Sequence, residues 1–212
     1  MLMFDYTVLN NMKIIGIDLS GKPENPTGVC FLDLHNLEFN TLFGNEDILS
    51  YIQEKNPSLI VIDAPLSLPK GRCCLSKDCS CSKEGGHFRE AEVGMRKYGR
   101  TLPLTFRGMR MLTERGIKIA EKLRNEYTVL ESHPRTIQKI LGFSDLHNDL
   151  TKYFELPENI SEHELDAALL AIAGVFYMYG EFMEFGDVDE GTIILPKENR
   201  SMEDILNFKT SL

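Results

Sequence analysis

Two short apolar runs, each ending in an aspartate, constrain the fold of this chain more than any other feature. The first is the run KIIGID at 13–18, and the second is LIVID at 59–63. β-Branched runs bounded by turn residues predict buried central strands. The carboxyl ends of such strands lie at the sheet edge where ligands and catalytic groups collect. If the two strands are neighbours, Asp18 and Asp63 lie side by side, which is unfavourable unless a cation joins them.

The remaining pattern predicts strands and helices in a defined order. After the first strand, two more strands at 29–34 and 37–43 form an antiparallel meander, because the links between them are short. A helix at 45–55, with Asn45 as its N-cap, then crosses over to the 59–62 strand, which is expected to lie parallel to the first. Further elements are predicted at 108–124 (helix), 127–131 (strand ending in Glu131), 136–141 (helix), 192–195 (small edge strand) and beyond 198 (one short helix).

A late helix carries the third acid of interest. Ser161 followed by Glu164 is a capping box, so a helix begins there and runs to about residue 179. Asp166 falls in its second turn, beside the apolar stripe that packs on the core.

Length and composition favour a single globular domain of 212 residues, with 1–11 as a loose extension. No secretory signal is visible, and the longest apolar run, 167–179, is too short to span a bilayer. We therefore expect a soluble, cytoplasmic protein without a membrane partner.

The charge is unevenly distributed along the chain. The net charge is −9, but residues 70–124 hold 14 basic and 6 acidic residues, whereas the remainder holds 9 basic and 26 acidic ones. Such asymmetry indicates either an anionic partner for the basic part or a basic insert that docks on its own acidic body.

The order of elements, with acids ending strands one and four and one early in a late helix, resembles the ribonuclease H fold. We therefore expect an α/β fold with a ribonuclease H-like mixed sheet, an antiparallel meander plus parallel strands flanked by helices, and a basic, Cys/Arg-rich insert at 70–107. Four blocks also resemble those of domain of unknown function 429, a family of predicted nucleases. They are GIDLSG at 16–21, IDAPL at 62–66, ESHP at 131–134 and HELDAA at 163–168.

This resemblance implies a metal-dependent nuclease acting on DNA or RNA. Enzymes of this fold hydrolyse phosphodiesters with two divalent ions held by carboxylates, and hard oxygen ligands suit Mg²⁺ or Mn²⁺. Asp18 would bridge both ions, while Asp63 and Asp166 would each complete one site. Glu131 is a candidate fourth ligand, and His163 would move protons or contact a phosphate.

Each of these residues also has a structural alternative. Asp18 and Asp63 can accept hydrogen bonds from turn amides, which is a common role for aspartate at strand ends. Asp166 can be a solvated helix residue favoured by the helix dipole. His133, before Pro134, is expected to be structural.

Four cysteines lie close together in the insert: Cys73, Cys74, Cys79 and Cys81. Such density in a cytosolic protein favours a metal, Zn²⁺ or an iron–sulfur centre, but the spacing is not one of the standard zinc spacings. Two disulfides or free thiols remain alternatives.

Arginines separated by glycines follow the cysteines. Arg89, Arg96 and Arg100 are candidate phosphate contacts, because the guanidinium fork matches phosphate oxygens. A helix at 88–98 with a solvated charged face is the alternative.

Two other functions compete with the nuclease. Sugar-kinase and actin-like ATPases share this fold, and the segment DLSG at 18–21 followed by Thr27-Gly28 resembles their phosphate-holding hairpin, which makes Ser20 a candidate substrate contact. Such phosphotransferases need two domains of this kind, however, and the chain supplies one. The third possibility is a non-catalytic module that binds nucleic acid or another protein.

Overall fold

The computed structural model describes residues 12–33 and 36–207. The predicted loose extension at 1–11 lies outside the described residues. The strands are β1 (Lys13–Asp18), β2 (Thr27–Asp33), β3 (Asn36–Leu42), β4 (Leu59–Ile62), β5 (Thr128–Glu131), β6 (Phe182–Asp187) and β7 (Gly191–Pro196). The α-helices are α1 (Asn45–Lys55), α2 (Glu90–Gly94), α3 (Arg107–Leu123), α4 (Pro134–Ile140), α5 (Leu146–Leu150), α6 (Glu162–Met178) and α7 (Met202–Asn207).

The strands form one mixed sheet in the order β3-β2-β1-β4-β5-β7-β6. The first three strands are antiparallel neighbours, as expected of a meander, and β4 and β5 continue the sheet parallel to β1. This arrangement confirms the predicted ribonuclease H-like α/β fold. A hairpin of β6 and β7 extends the sheet beyond β5.

Helices cover both faces of the sheet, and the alternation of side chains along β1 explains how. Ile14 points into the core beneath α6, whereas Ile15 and Ile17 point into a second core that includes residues of α1 and α3. Successive side chains of a strand leave on opposite faces, so a continuous apolar run serves both layers. Buried apolar strands of this kind are typical of sheets covered by helices on both sides.

Two glycines allow α6 to lie very close to the sheet. A Cβ atom at Gly16 would lie 2.0 Å from the carbonyl oxygen of Ala167, and one at Gly28 would lie 2.1 Å from that of His163. Any larger residue would push the helix away from β1 and β2. The start of α6, capped by the predicted Ser161–Glu164 box, is thereby held beside the end of β1.

The insert between β4 and α3 is mostly irregular. Its regular parts are a 3₁₀ turn at Ser80–Lys83, the short helix α2 and a 3₁₀ turn at Met95–Lys97. The backbone N–H of Leu104 donates to the carbonyl oxygen of His87, 2.8 Å away, which closes the second half of the insert into a loop.

Several predictions were wrong in detail. The predicted edge strand at 192–195 is the internal strand β7, because β6, which the sequence pattern did not predict, occupies the edge. Asn45 is the first residue of α1 rather than its N-cap, which is Gly44. The short helix α5 was also missed, whereas the short helix expected beyond 198 is present as α7. Within the described residues, no helix combines the length and hydrophobicity that crossing a membrane requires.

Candidate active site at the carboxyl edge of the sheet

Asp18 and Asp63 end neighbouring parallel strands. The register pairs Ile17 with Ile62, so the two aspartates occupy the next position of each strand. The backbone N–H of Asp63 donates to the carbonyl oxygen of Ile17 at 2.9 Å, which ties the two strand ends together. Neighbouring strands lie about 4.8 Å apart, so both carboxylates enter the same small region.

Asp166 joins them from the second turn of α6. Its side chain is only 11% exposed, and Oδ2 lies 3.4 Å from a guanidinium nitrogen of Arg135 on α4. The close approach at Gly16 and Gly28 brings this part of α6 to the end of β1. Three acids from three separate elements therefore meet at one edge of the sheet.

The carboxylates are close enough for the negative charge of one to disfavour the ionisation of another. Burial raises the pKa of Asp63 well above its usual range, and the nearby carboxylates of Asp18 and Asp166 raise it further. Burial also raises the pKa of Asp166 to about 6, an effect that Arg135 partly offsets and that Asp18 strengthens. The pKa of Asp18 is likewise raised by burial, although a hydrogen bond with His163 works in the opposite direction. Such mutual repulsion is what a bound cation relieves.

The donor chemistry of this site suits a hard divalent cation. Burial and neighbouring charges act on the Asp63 carboxylate, without a hydrogen bond from any of the described residues, so its oxygens are available as ligands. Carboxylate oxygens are preferred by Mg²⁺ and Mn²⁺. Within the described part of the chain, however, the three aspartates do not form a group whose ligand atoms all lie within 4.8 Å of one another. The fit of the site to a divalent cation therefore rests on its oxygen donors and on the crowding of its charges.

His163 lies one turn before Asp166 and faces Asp18. Its Nδ1 atom is 2.6 Å from Asp18 Oδ2, while the imidazole remains 53% exposed. The ring can therefore donate to the carboxylate and still present its other nitrogen to solvent.

Arg135 is a site residue that sequence reasoning missed. It follows Pro134, the first residue of α4, and its side chain is 60% exposed while touching Asp166. Its position in the sequence could have indicated this role, because Arg135 directly follows the ESHP block. It lies at the start of a helix that follows a strand of the sheet. His133 caps this helix by accepting from the backbone N–H of Thr136, consistent with the structural role expected for it.

Glu131 lies in a different environment from the three aspartates. The register places it beside Ile62, one position before Asp63. Its Oε2 accepts from the backbone N–H of Leu66 at 3.0 Å and from Arg89 Nη1 at 2.9 Å, and its Oε1 lies 2.5 Å from Arg89 Nη2. Both oxygens are thus engaged by buried donors of the protein itself.

Arg89 is enclosed by its own acidic neighbours. It is fully buried, and its guanidinium pairs with Glu92 as well as Glu131 and donates to Ser67 Oγ. The structure therefore places this candidate phosphate contact inside the protein. The buried triad of Arg89, Glu92 and Glu131 anchors α2 to the end of β5.

Ser20 is also held by the protein. Its hydroxyl lies within hydrogen-bond distance of the Lys22 carbonyl at 2.9 Å and receives a hydrogen bond from Arg115 at 2.7 Å. Arg115 is 5% exposed and donates further to the carbonyl oxygens of Ser20 and Phe43. The arginine fixes the β1–β2 turn, which is the segment that resembled a phosphate-holding hairpin.

Arg96 and Arg100 remain on the surface. Arg96 stacks over the ring of Phe88, 4.4 Å from its centroid. Arg100 borders a cavity of about 170 Å³ that also has Asp63, His133 and Thr101 in its walls. A basic side chain of the insert is therefore close to the acidic edge.

The four clustered cysteines come together as the sequence suggested. Their sulfur atoms all lie within 4.8 Å of one another, a group that can hold a metal ion. All four are free thiols in the structure.

Comparison with known proteins gives likenesses to solved structures. No protein-family model matches the sequence, so the resemblance to domain of unknown function 429 stays a prediction, and no curated protein matches either. Among solved structures, T. thermophilus RuvC in complex with Holliday junction substrate is similar at 12% sequence identity, with a TM-score of 0.49. The match covers 80% of this chain and 96% of that one. At this level the likeness carries no inference about activity.

Proposed function

We propose that the protein is a metal-dependent nuclease that hydrolyses phosphodiester bonds of DNA or RNA at the edge formed by Asp18, Asp63 and Asp166. The observation that carries the proposal is the crowding of these carboxylates. Burial raises the pKa of each carboxyl group, and the nearby charges of Asp18 and Asp166 raise the pKa of Asp63 further. A fold gains no stability from such repulsion, so an electrostatic partner outside the chain is the simplest reason to retain it.

Mg²⁺ or Mn²⁺ bound here would supply an activated water and stabilise the charge that develops on the scissile phosphate and the leaving oxygen. The residues of the chain have distinct roles in this proposal. Asp18, Asp63 and Asp166 would hold the ions. His163 orients Asp18 through its Nδ1 and offers its exposed ring nitrogen for proton transfer.

Two cations of the chain are proposed to contact the substrate. Arg135 reaches the site from α4, is 60% exposed and lies 3.4 Å from Asp166. Arg100 reaches it from the insert, beside the cavity next to Asp63. Both can pair with phosphate oxygens as the nucleic acid approaches, since the guanidinium fork matches their geometry. Arg89, Glu131 and Ser20 are left out of the proposed contacts because internal partners already engage them.

The experiment is a cleavage assay joined to a thermal-shift measurement. Wild type is expected to cut at least one of single-stranded DNA, duplex DNA, branched DNA or RNA with Mg²⁺ or Mn²⁺ present. At an ion concentration of about 100 times Kd, binding to the folded state stabilises it by about 2.7 kcal/mol. For a chain of this length, that corresponds to a rise in Tm of roughly 5–11 °C.

Asp18→Asn is the decisive variant, and Asp33→Asn is its matched control. Asp18→Asn is expected to abolish cleavage and the Mn²⁺-dependent rise in Tm, while the metal-free variant melts no lower than wild type. Asp33 ends β2 at the opposite edge of the sheet, where it pairs with Lys13 in the register, so the same change there should alter neither property. A wild type without any Mn²⁺-dependent shift at millimolar ion would refute the metal site. Metal binding without cleavage of any substrate would favour the non-catalytic module.

A further inference from the structure

The cysteine cluster lies in the first half of the insert and takes no part in the proposed active site. We propose that Cys73, Cys74, Cys79 and Cys81 bind one zinc ion in a tetrahedral site of four thiolates, which stabilises the first half of the insert. The proposal rests on sulfur geometry, on the small core of this segment and on its charge.

The sulfur geometry matches a tetrahedral centre. Zinc–sulfur bonds of about 2.3 Å in a regular tetrahedron separate the sulfur atoms by about 3.8 Å. The Cys73 and Cys79 sulfurs are 3.6 Å apart, those of Cys74 and Cys81 are 3.8 Å apart, and all four lie within 4.8 Å of one another. One ion can therefore contact all four thiolates with little rearrangement.

The backbone explains how an unusual spacing can deliver four ligands to one centre. Cys79 caps the 3₁₀ turn in an extended conformation, and Cys81 follows inside that turn. The turn closes with hydrogen bonds from the backbone N–H groups of Glu84 and Gly85 to the Cys81 carbonyl. The compact turn thus brings its two cysteines back toward the adjacent pair at 73 and 74.

This part of the insert has little else to hold it in place. Between residues 70 and 88, only Leu75 and Cys81 have buried side chains, and regular structure is limited to the one 3₁₀ turn. Segments without a sufficient hydrophobic core generally need a disulfide or a metal to stay ordered. Here the distances between the four cysteine sulfur atoms suit a bound metal ion.

The surrounding charge also suits a zinc tetrathiolate. Four thiolates around Zn²⁺ leave a net charge of 2−, which nearby cations stabilise. Residues 70–83 contain four basic side chains and one acidic one, Asp78. The insert therefore carries a local excess of positive charge around the proposed centre.

The bound ion would fix how the insert meets the rest of the protein. The backbone N–H of Lys70 donates to Glu190 Oε1 at 2.6 Å, which joins the start of the insert to the rest of the protein. Within the insert, Arg72 Nε donates to the Gly86 carbonyl, also at 2.6 Å. Both contacts flank the cysteines, so we expect loss of the metal to loosen this segment while leaving the sheet intact.

The test begins with metal analysis of full-length protein purified under reducing conditions without chelators. One zinc per chain is expected, with X-ray absorption showing four sulfur neighbours at about 2.3 Å. Cys79→Ser should lose most of the zinc. Cys30→Ala is the matched control, because Cys30 lies in β2 outside the cluster, and it should retain a full equivalent.

A second measurement avoids reliance on a variant that fails to fold. Stripping zinc from wild type with a chelator should raise hydrogen exchange across 70–88 and leave the exchange of β1 and β4 unchanged. Readdition of zinc should restore the slow exchange. Absence of metal, iron with inorganic sulfide, or two disulfides that leave one free thiol would each overturn the proposal, as would exchange that does not respond to the chelator.

Discussion

Replacing Asp166 with asparagine should stabilise the metal-free protein at neutral pH. The carboxylate is largely buried beside Asp18, and its pKa is raised to about 6, chiefly by burial. Asparagine has nearly the same shape and keeps a carbonyl oxygen, so the substitution removes the charge with little change in packing.

The size of the effect follows from the pKa. A carboxyl group with a pKa of about 6 in the folded state and 3.8 in the unfolded state destabilises the fold by about 3 kcal/mol once ionised. The site opens to solvent, which screens the charge, and the ion pair with the exposed Arg135 side chain is lost in the variant. We therefore expect a gain of about 1–2 kcal/mol, or a rise in Tm of roughly 2–8 °C.

The direction in which the stability difference changes with pH follows from the raised pKa of Asp166. Because the pKa of Asp166 is higher in the folded state, the folded protein holds the proton more tightly than the unfolded chain. Its contribution to stability is complete below about pH 3.8 and is lost as the pH rises through about 6. The difference between Asp166→Asn and wild type should accordingly be near zero at pH 4 and greatest above pH 7.

Urea unfolding of metal-free protein at several pH values measures this difference directly. Asp33→Asn, at the far edge of the sheet, controls for the loss of one negative charge from an acidic protein. A variant that is less stable than wild type at pH 7, or a difference that does not change with pH, would show that Asp166 is not a crowded carboxylate. The metal-site proposal would then lose its electrostatic basis.

Three further predictions concern the buried arginine, its partner Glu131 and the surface arginines. Arg89→Met leaves Glu92 and Glu131 buried without their cation and should cost about 3–5 kcal/mol of stability in urea unfolding; a loss under 1 kcal/mol would contradict the structural role. Glu131→Gln should leave the Mn²⁺-dependent rise in Tm intact, whereas its loss would make Glu131 a metal ligand. Replacing Arg96 and Arg100 together with alanine should make nucleic-acid binding less dependent on salt concentration, because fewer phosphates are then contacted. An unchanged slope would show that neither residue contacts a phosphate.

Much of the fold was predictable because hydrophobic pattern and turn chemistry act locally. The runs at β1 and β4 have few alternatives to buried strands, and the Ser161–Glu164 box fixes the start of α6. Strands β6 and β7 were harder, since β6 alternates partly buried and exposed residues and, among the described strands, pairs with β7 alone. β6 forms a strand because it pairs with β7, the segment that the sequence pattern had placed at the edge of the sheet.

The site was predictable to the extent that it depends on strand ends. Register and parallel pairing bring Asp18 and Asp63 together, and both follow from two similar apolar runs. Glu131 also ends a strand, but the one-position offset places it beside Ile62, where Arg89 reaches it. Sequence could not reveal the offset, which is the register of β4 and β5, or the partner, which depends on how the insert folds back onto β5.

The way the insert folds onto β5 also divides its arginines into two groups with different roles. Arg89 is buried and pairs with carboxylates and a hydroxyl of the protein itself. Arg115 of α3, beyond the insert, is buried in the same way and donates to carbonyl oxygens. Arg96 and Arg100 remain outside, the second beside the cavity next to Asp63. An acidic edge repels a phosphate backbone, so a nuclease of this form needs cations around that edge as well as metal within it. Because Arg89 attaches the insert to the end of β5, Arg100 is held beside the cavity next to Asp63, where the proposed nucleic-acid substrate would meet it.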